Sequence, residues 1–382
     1  MTKQPSYRFA EYTESWVEKK LGEIVERITR KNKNLESDLP LTISAQYGLI
    51  DQETFFNKKV ASKDVSGYYL LKKGEFAYNK SYSSDYPWGA VKRLDNYEMG
   101  VLSTLYIVFR PNSIESDFLA VYYDSPKWYK EVSMRAAEGA RNHGLLNISP
   151  QDFFDTELIF PVNQSEQTAL GSFFQDTDQL ISLQQRKLEV LKEQKKTYLK
   201  LLFPAKGQTK PALRFAGFED EWKEVKLGEI IQSISPKNYI TEYYEEGNNP
   251  VIQQGDIPIV GFSDNKPFNN FSNVILFGDH TLSLFKPATP FLLATDGIKI
   301  LHSDLTTQSF LFIMLERYLP KSQGYKRHYS LLKNELSSLP SFPEQEVIGS
   351  FFQDLDKAIA KQEEKVNQLK ESKQTLLRKM FI

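Results

Sequence analysis

The sequence predicts a mixed α+β protein with a pseudo-twofold internal repeat, in which two globular segments are separated by two long helices that form an antiparallel coiled coil. The first observation is that residues 8–32 recur as residues 214–238, with 13 of 25 positions identical. The second is that residues 165–203 recur as residues 343–381, with 19 of 39 positions identical. The third is that short apolar runs bounded by Gly, Asn, Asp and Pro, which are typical of strands, lie between the repeats.

The two repeats divide the chain into four parts. We expect globular segments at residues 1–160 and 206–342, and helices at residues 161–205 and 343–382. The first repeat has an offset of 206 residues and the second an offset of 178, so the unmatched stretch of the first half is 28 residues longer. The two unmatched stretches show no convincing similarity to each other, so the halves share a frame and differ in their inserts.

Both helical segments have the alternating spacing of three and four residues between apolar positions that is typical of a coiled-coil seam. Polar residues interrupt the seam at the same places in both copies, since Gln184 matches Gln362 and Lys195 matches Lys373. An apolar seam has to be buried, and the alternation of globular segment and helix favours antiparallel pairing over an ordinary bundle. The predicted seam and partner-docking residues are Leu170, Phe174, Ile181, Leu188, Leu191, Ile348, Phe352, Ile359, Val366 and Leu369.

The composition excludes several classes of protein. Lys and Arg total 48 and Asp and Glu total 49, so the net charge of −1 gives no overall attraction to nucleic acid or membranes. The absence of cysteine excludes disulfides, zinc-thiolate sites and thiol nucleophiles, and fits a cytoplasmic protein. We find neither a long apolar run nor an export leader, and no GxxxxGK[ST], GxGxxG or HExxH motif. We therefore expect no membrane contact, and no cofactor or metal in this chain.

The neutral total conceals a basic stretch. Residues 58–93 hold eight Lys and Arg against three acidic residues, a local charge of +5, and seven aromatic residues are interleaved with them. Such amines attract phosphates, while amide and hydroxyl groups can reach base edges or phosphate oxygens. The alternative is a solvated basic loop over core strands. The candidate DNA contacts here are Lys58, Lys59, Lys63, Asn79, Lys80 and Tyr82.

Two loops that begin with glycine add further candidates. GARNHGLLNIS starts at Gly139 and GYKRHYSLL starts at Gly324, and both place a basic residue and then His shortly after the glycine. Arg can bind guanine through two hydrogen bonds, and His can donate to a phosphate. A lone His is more often structural, but the recurrence in both halves favours DNA contact. The candidates are Arg141, His143, Lys326, Arg327, His328 and Tyr329.

A catalytic site is not favoured. Asp279, His280 and Thr281 have the side chains of an acid, a base and a hydroxyl nucleophile, but Asp and Thr at turns usually bond their own backbone. No nucleophile elbow accompanies them. The four His residues show no metal-ligand spacing, so we expect neither a catalytic residue nor a metal ligand.

Several motifs in order resemble the specificity subunit of type I restriction-modification systems, over essentially the whole chain. They are the paired W…LGEI motifs at Trp16 and Trp222, and the paired EQ…GSFFQD helix starts at Glu166 and Glu344. The junction from Leu202 to Phe215 is another, and the segments FGDHT and YKRHY look like pieces of the family's second recognition domain.

The resemblance implies two target recognition domains that each read one half of a split, asymmetric site in double-stranded DNA. It also implies that two methylating subunits, which carry S-adenosylmethionine, dock on the helices, and that restriction subunits driven by ATP with magnesium join them. On this view the chain is not an enzyme. A seam of 32 residues gives a rod of about 48 Å, long enough to set readers about one turn of B-DNA apart.

Three alternatives stay open at this point. The partner can be a fused nuclease-methyltransferase of a type II system. The chain can be a coiled-coil scaffold that binds only proteins, or an enzyme that acts alone on nucleic acid.

Overall fold

A computed structural model describes residues 4–44, 47–58, 60–84, 86–136, 145–205, 207–242, 244–324 and 326–382. Its contacts divide the chain into two compact units, residues 1–184 with 365–382 (unit 1) and residues 185–364 (unit 2). Each unit contains one globular segment and part of each long helix, so the predicted α+β class with two long helices is confirmed. Within the described ranges, none of the helices combines the length and apolarity needed to cross a membrane.

Unit 1 alternates short strands and short helices before the first long helix. Its strands are β1 (Val17–Lys20), β2 (Val25–Arg27), β3 (Leu41–Ser44), β4 (Gly48–Asp51), β5 (Tyr69–Lys72), β6 (Phe76–Asn79), β7 (Ala90–Arg93), β8 (Met99–Leu102), β9 (Ile107–Pro111) and β10 (Glu157–Phe160). Its helices are α1 (Leu21–Ile24), α2 (Gln52–Phe56), α3 (Ser116–Asp124), α4 (Tyr129–Arg135), α5 (Pro150–Phe154) and the start of α6 (Gln164–Leu201).

Unit 2 follows the same plan with different loops. Its strands are β11 (Lys223–Lys226), β12 (Gln232–Ile234), β13 (Asn249–Ile252), β14 (Ile259–Ser263), β15 (Ile275–Gly278), β16 (Leu284–Phe285), β17 (Leu292–Leu293), β18 (Ile298–His302) and β19 (Leu336–Leu339). Its helices are α7 (Leu227–Ile230), α8 (Gln308–Arg317), α9 (Tyr329–Asn334) and most of α10 (Phe342–Met380), with single 3₁₀ turns at Lys237–Tyr239 and Phe271–Asn273.

The main sheets of the two units have equivalent strand orders. The order is β2-β9-β6-β7 in unit 1 and β12-β18-β15-β16 in unit 2, and all neighbouring strands are antiparallel. A two-stranded hairpin accompanies each sheet, β3-β4 in unit 1 and β13-β14 in unit 2. The inserts that look unrelated in sequence therefore share a topology, because a strand requires only a pattern of buried and exposed side chains and accepts many sequences that supply it.

The motif at the start of each long helix forms a buried ion pair. Glu166 is 1% exposed and accepts two hydrogen bonds from Arg8, Nε to Oε1 and Nη2 to Oε2, both at 2.7 Å. Trp16 Nε1 donates to the same carboxylate at 3.1 Å. In unit 2 Arg214 binds Glu344 in the same way at 2.8 Å. The repeated Arg and Glu thus join the N-terminal repeat of each unit to its helix.

The glutamine and glycine of the same motif attach a helix of the globular segment. Gln167 Oε1 accepts the backbone N–H of Glu115 at 2.7 Å, at the start of α3. A Cβ on Gly171 would lie 2.7 Å from Asp117 Cβ, so only glycine allows α3 to approach α6 this closely. Gln345 and Gly349 make the equivalent joint with α8 in unit 2, where Gln345 Oε1 accepts the Thr307 N–H at 3.1 Å.

The two long helices pair antiparallel in each unit, as the heptads predict. The ten predicted seam residues are all buried or half-buried. Lys373 Nζ binds Asp178 at 2.7 Å in unit 1, and Lys195 Nζ binds Asp356 at 2.8 Å in unit 2. Burial alone would lower the pKa of Lys195, but the hydrogen bonds and charges of Asp356 and Glu316 outweigh it and raise the pKa. The two lysine interruptions of the seam are therefore ion-paired.

Candidate nucleic-acid interface

In unit 2 one buried carboxylate joins two loops that the sequence analysis singled out. Asp279 follows β15, and its side chain is 3% exposed. Asp279 Oδ1 accepts the backbone N–H groups of His328 at 2.9 Å and Tyr329 at 2.7 Å. The Asp279 carbonyl also accepts the His328 N–H at 2.8 Å. The FGDHT segment therefore anchors the end of the YKRHY loop.

His328 has a positioning role in this arrangement. It is fully buried, and its Nε2 accepts the Gln323 N–H at 3.0 Å. The other ring nitrogen, Nδ1, lies 3.0 Å from the Asp279 carbonyl oxygen and therefore carries the proton. With both nitrogens engaged, the ring holds the loop in place, where the sequence had predicted a phosphate contact.

The basic side chains that this anchor presents are exposed. Lys326 and Arg327 both lie on the surface. Arg327 Nη2 is 3.9 Å from Asp296 Oδ2, and both side chains are largely solvated, so the pairing is weak. Tyr329 is half-buried, and burial raises the pKa of its hydroxyl. Lys326 and Arg327 are thus free to reach a phosphate or a base edge.

Two further loops meet the Asp279 turn. Gln254, in the β13-β14 turn, accepts the His280 N–H through Oε1 at 3.1 Å. Ser283 Oγ accepts the Gly255 N–H at 3.0 Å. The pairing of Gly278 with Ile298 brings the turn before β18 to the same end of the sheet. We call this surface of unit 2 its recognition edge, formed by residues 253–258, 279–283, 294–297 and 326–328.

Unit 1 has an equivalent edge at the end of β6. Tyr78 pairs with Ile107, so the loop after β6 and the turn before β9 lie at the same end of the sheet. Lys80 is half-buried, and its carbonyl accepts the Leu146 N–H at 2.9 Å, so the segment that leads to α5 is also attached here. The recognition edge of unit 1 comprises residues 79–82, 103–106 and 145–148.

Besides Lys80, three of the predicted contacts are placed on or beside this edge of unit 1. Asn79 is half-buried, and its Oδ1 accepts the Ser81 N–H at 3.0 Å. Tyr82 is 52% exposed. Lys63 is exposed in the segment that leads to β5, whose first residue pairs with Leu102. Lys58 is exposed just after α2, and Lys59, Arg141 and His143 lie outside the described residues.

The segments considered for catalysis have structural partners. Thr281 Oγ1 lies 2.8 Å from Ser283 Oγ, within the turn that supports Gly255. Among the described residues, no three His, Cys, Asp or Glu side chains are grouped as a metal site. The sequence analysis did not identify Gln254 and Ser283 as parts of the edge. Their only signals were that Gln254 precedes Gly255 after β13 and that Ser283 directly precedes β16, and Asp279 was considered as a catalytic acid and as a turn residue.

Comparisons with known proteins agree with this architecture. Residues 219–371 match the family model described as the type I restriction modification DNA specificity domain. The fold is similar to that of the type I restriction-modification system S subunit from M. genitalium, with a TM-score of 0.62, 17% identity and 99% of each chain covered. A chain from a structure on complex assembly and conformational transition of the type I R-M system is similar with a TM-score of 0.57 and 19% identity, covering 98% of this chain and 99% of that one. A comparison with curated proteins finds no match.

The specificity-domain match covers the part of unit 2 that holds Asp279, Lys326 and Arg327, and the two solved structures share the fold of nearly the whole chain. The scaffold and lone-enzyme alternatives are not favoured by these findings. The resemblance read from the paired motifs is thus confirmed in two respects: residues 219–371 match the type I restriction modification DNA specificity domain, and nearly the whole chain has a fold similar to that of type I S subunits.

Proposed function

We propose that each recognition edge reads one half of a bipartite, asymmetric DNA site. The observation that carries this proposal is that one sheet order presents the same edge in both units with unlike residues on it. Unit 2 offers Lys326 and Arg327, whereas unit 1 offers Asn79, Lys80 and Tyr82. Because base edges are read by the donors and acceptors that face them, different edges select different half-sites.

The methylating subunits dock on the long helices in this proposal, two for each specificity subunit. The ten seam residues are buried or half-buried, so docking uses the outer faces of the helices. Leu180 and Leu183 on α6 are 42% and 65% exposed and three residues apart, which places them on one side of the helix. S-adenosylmethionine, and ATP with magnesium, belong to the partner subunits.

Replacing Lys326 and Arg327 together by alanine is expected to weaken DNA binding by unit 2 and to reduce the dependence of log K on log salt by up to about two, since each phosphate contact contributes about 0.9. Titration of the reconstituted methylating complex against duplex DNA at several salt concentrations measures this. Lys210→Ala with Lys223→Ala, which removes two exposed lysines away from the edge, is the matched control. An unchanged salt dependence in a fully assembled complex would exclude both side chains as DNA contacts.

Helix length is expected to set the unread spacer between the half-sites. Inserting seven residues after Leu188 and seven after Val366 keeps the heptad phase and adds about 10 Å to each helix. We expect the methylated site to keep both half-site sequences and to gain about three base pairs of spacer at about 3.4 Å per base pair. Methylation-sensitive sequencing of cells that express the chain with its partners gives both half-site sequences and the spacer length. A change in either half-site would contradict the proposed division of labour.

A further inference from the structure

Unit 1 presents a pair of exposed phenyl rings that its core does not use. Phe55 and Phe56 end α2 and are 45% and 44% exposed, with their ring centroids 4.9 Å apart in an edge-to-face arrangement. The helix is capped at both ends, because Asp51 Oδ1 accepts the Glu53 N–H at 3.0 Å and Asn57 ends the helix in the left-handed conformation. Two large apolar side chains are therefore exposed at a defined helix end.

This pair is close to the recognition edge of unit 1. Gln52, the first residue of α2, donates its N–H to the Pro40 carbonyl at 2.8 Å. Pro40 in turn forms a parallel bridge with Val101. Val101 is two residues before the 103–106 turn of the edge, so α2 lies beside the surface that carries the candidate DNA contacts.

The charge on the C-terminal side of the rings favours one kind of partner. The rings directly precede the basic stretch of residues 58–93, whose charge is +5, and its described residues Lys58 and Lys63 are exposed, while Asp51 and Glu53 lie at the other end of α2. The exposed Phe262 of unit 2 is the opposite case, since residues 242–264 contain five acidic residues and neither Lys nor Arg. An apolar surface among cations suits a polyanion that has apolar faces, and base steps in DNA have such faces between the phosphates.

We propose that Phe55 and Phe56 act as an apolar wedge that inserts against a base step of the half-site read by unit 1, while Lys58 and Lys63 bind the flanking phosphates. Aromatic rings stack on any base, so the wedge contributes affinity and selects for steps that unstack readily. The inference rests on the proposed function. It adds a second source of specificity, the deformation of the DNA, beside the hydrogen bonds between side chains and base edges.

The test uses the full chain reconstituted with its methylating subunits, and duplexes that carry the mapped site with 2-aminopurine placed at successive steps of the unit 1 half-site. For Phe55→Ala with Phe56→Ala we expect about tenfold or greater loss of affinity, with unchanged dependence on salt and loss of the 2-aminopurine fluorescence increase. Phe55→Tyr with Phe56→Tyr keeps both rings and is expected to restore binding and fluorescence. Lys58→Ala should instead lower the salt dependence by about one.

Phe262→Ala is the matched control, because it removes an equally exposed phenyl ring from acidic surroundings and should leave DNA binding unchanged. If the double alanine variant keeps the affinity and the fluorescence increase of the wild type, the wedge is overturned. The proposed function still stands in that case, provided that the wild-type complex binds its site specifically. Loss of assembly with the methylating subunits would overturn the wedge too, because the rings would then be a protein-docking surface. Failure of the wild-type complex to prefer any DNA site would overturn the proposed function itself.

Discussion

Replacing Glu166 by alanine is expected to lower the free energy of unfolding of unit 1 by about 3–5 kcal/mol, because it leaves the Arg8 guanidinium beside a helix start with neither its ion pair nor the water it lost on folding. Arg8 Nη1 is also buried without a hydrogen-bond partner of its own among the described residues, so the carboxylate is its main compensation. The Trp16 indole N–H loses its acceptor in the same variant.

Denaturant unfolding followed by tryptophan fluorescence measures this loss in unit 1 alone. Trp16, Trp88 and Trp128 belong to unit 1, so in a Trp222→Phe background the signal reports only that unit. Glu26→Ala is the matched control, since the Glu26–Arg110 pair has the same chemistry at 2.7 Å while both side chains are 52% exposed. Such an exposed pair contributes about 1 kcal/mol or less. If Glu166→Ala lowers the free energy of unfolding by no more than Glu26→Ala does, the buried ion pair is not what joins the N-terminal repeat to α6.

Replacing Asp279 by alanine is expected to release the 326–328 loop and abolish recognition of the unit 2 half-site. The variant loses two backbone hydrogen bonds to a carboxylate, each worth about 1.5–3 kcal/mol, and the Tyr329 N–H loses its acceptor, whereas the His328 N–H keeps the Asp279 carbonyl oxygen. We expect the free energy of unfolding of unit 2 to fall by about 3 kcal/mol or more. Asp279→Asn keeps one side-chain oxygen as an acceptor, so the free energy of unfolding should fall by less than in Asp279→Ala.

Hydrogen exchange gives a local measurement of the same change. The amide of Tyr329 should lose its protection in Asp279→Ala, because Asp279 Oδ1 is its acceptor, while the amides of β6 in unit 1 keep theirs. Asp296→Ala is the control, because this carboxylate is 74% exposed and its distance to Arg327 is 3.9 Å. Retained protection at the Tyr329 amide would show that the Asp279 carboxylate does not hold the loop.

The frame of the molecule could be predicted because its signals are periodic. The heptads fixed the two helices, and the matched Lys195 and Lys373 correctly indicated a special seam position. The contacts that join the long helices to the globular segments were harder to predict. Glu166 and Gln167 were visible as part of a repeated motif, but their partners lie far away in sequence. Nothing local in a sequence states which distant Arg or backbone N–H a buried carboxylate or amide will meet.

The edge was only partly predictable for a different reason. His328 follows Lys326 and Arg327, and a basic loop with a His looks like a phosphate site until the fold places the His328 ring against the Asp279 carbonyl. The equivalence of the two inserts was also hidden, because the central strands of both sheets are short buried runs that many different sequences can supply. The candidates that remain exposed, such as Lys326 and Tyr82, stay predictions as DNA contacts.

The joint made by Gln167 and Gln345 has an evolutionary consequence. Each glutamine binds a backbone N–H, that of Glu115 in one unit and that of Thr307 in the other, so the joint does not depend on which side chain occupies that position. A globular segment of different sequence can therefore form the same joint, provided that one of its helices begins beside the glutamine. Recombination within the repeats can therefore exchange a whole globular segment while the frame that holds it stays the same, and under the proposed function such an exchange would replace one half-site.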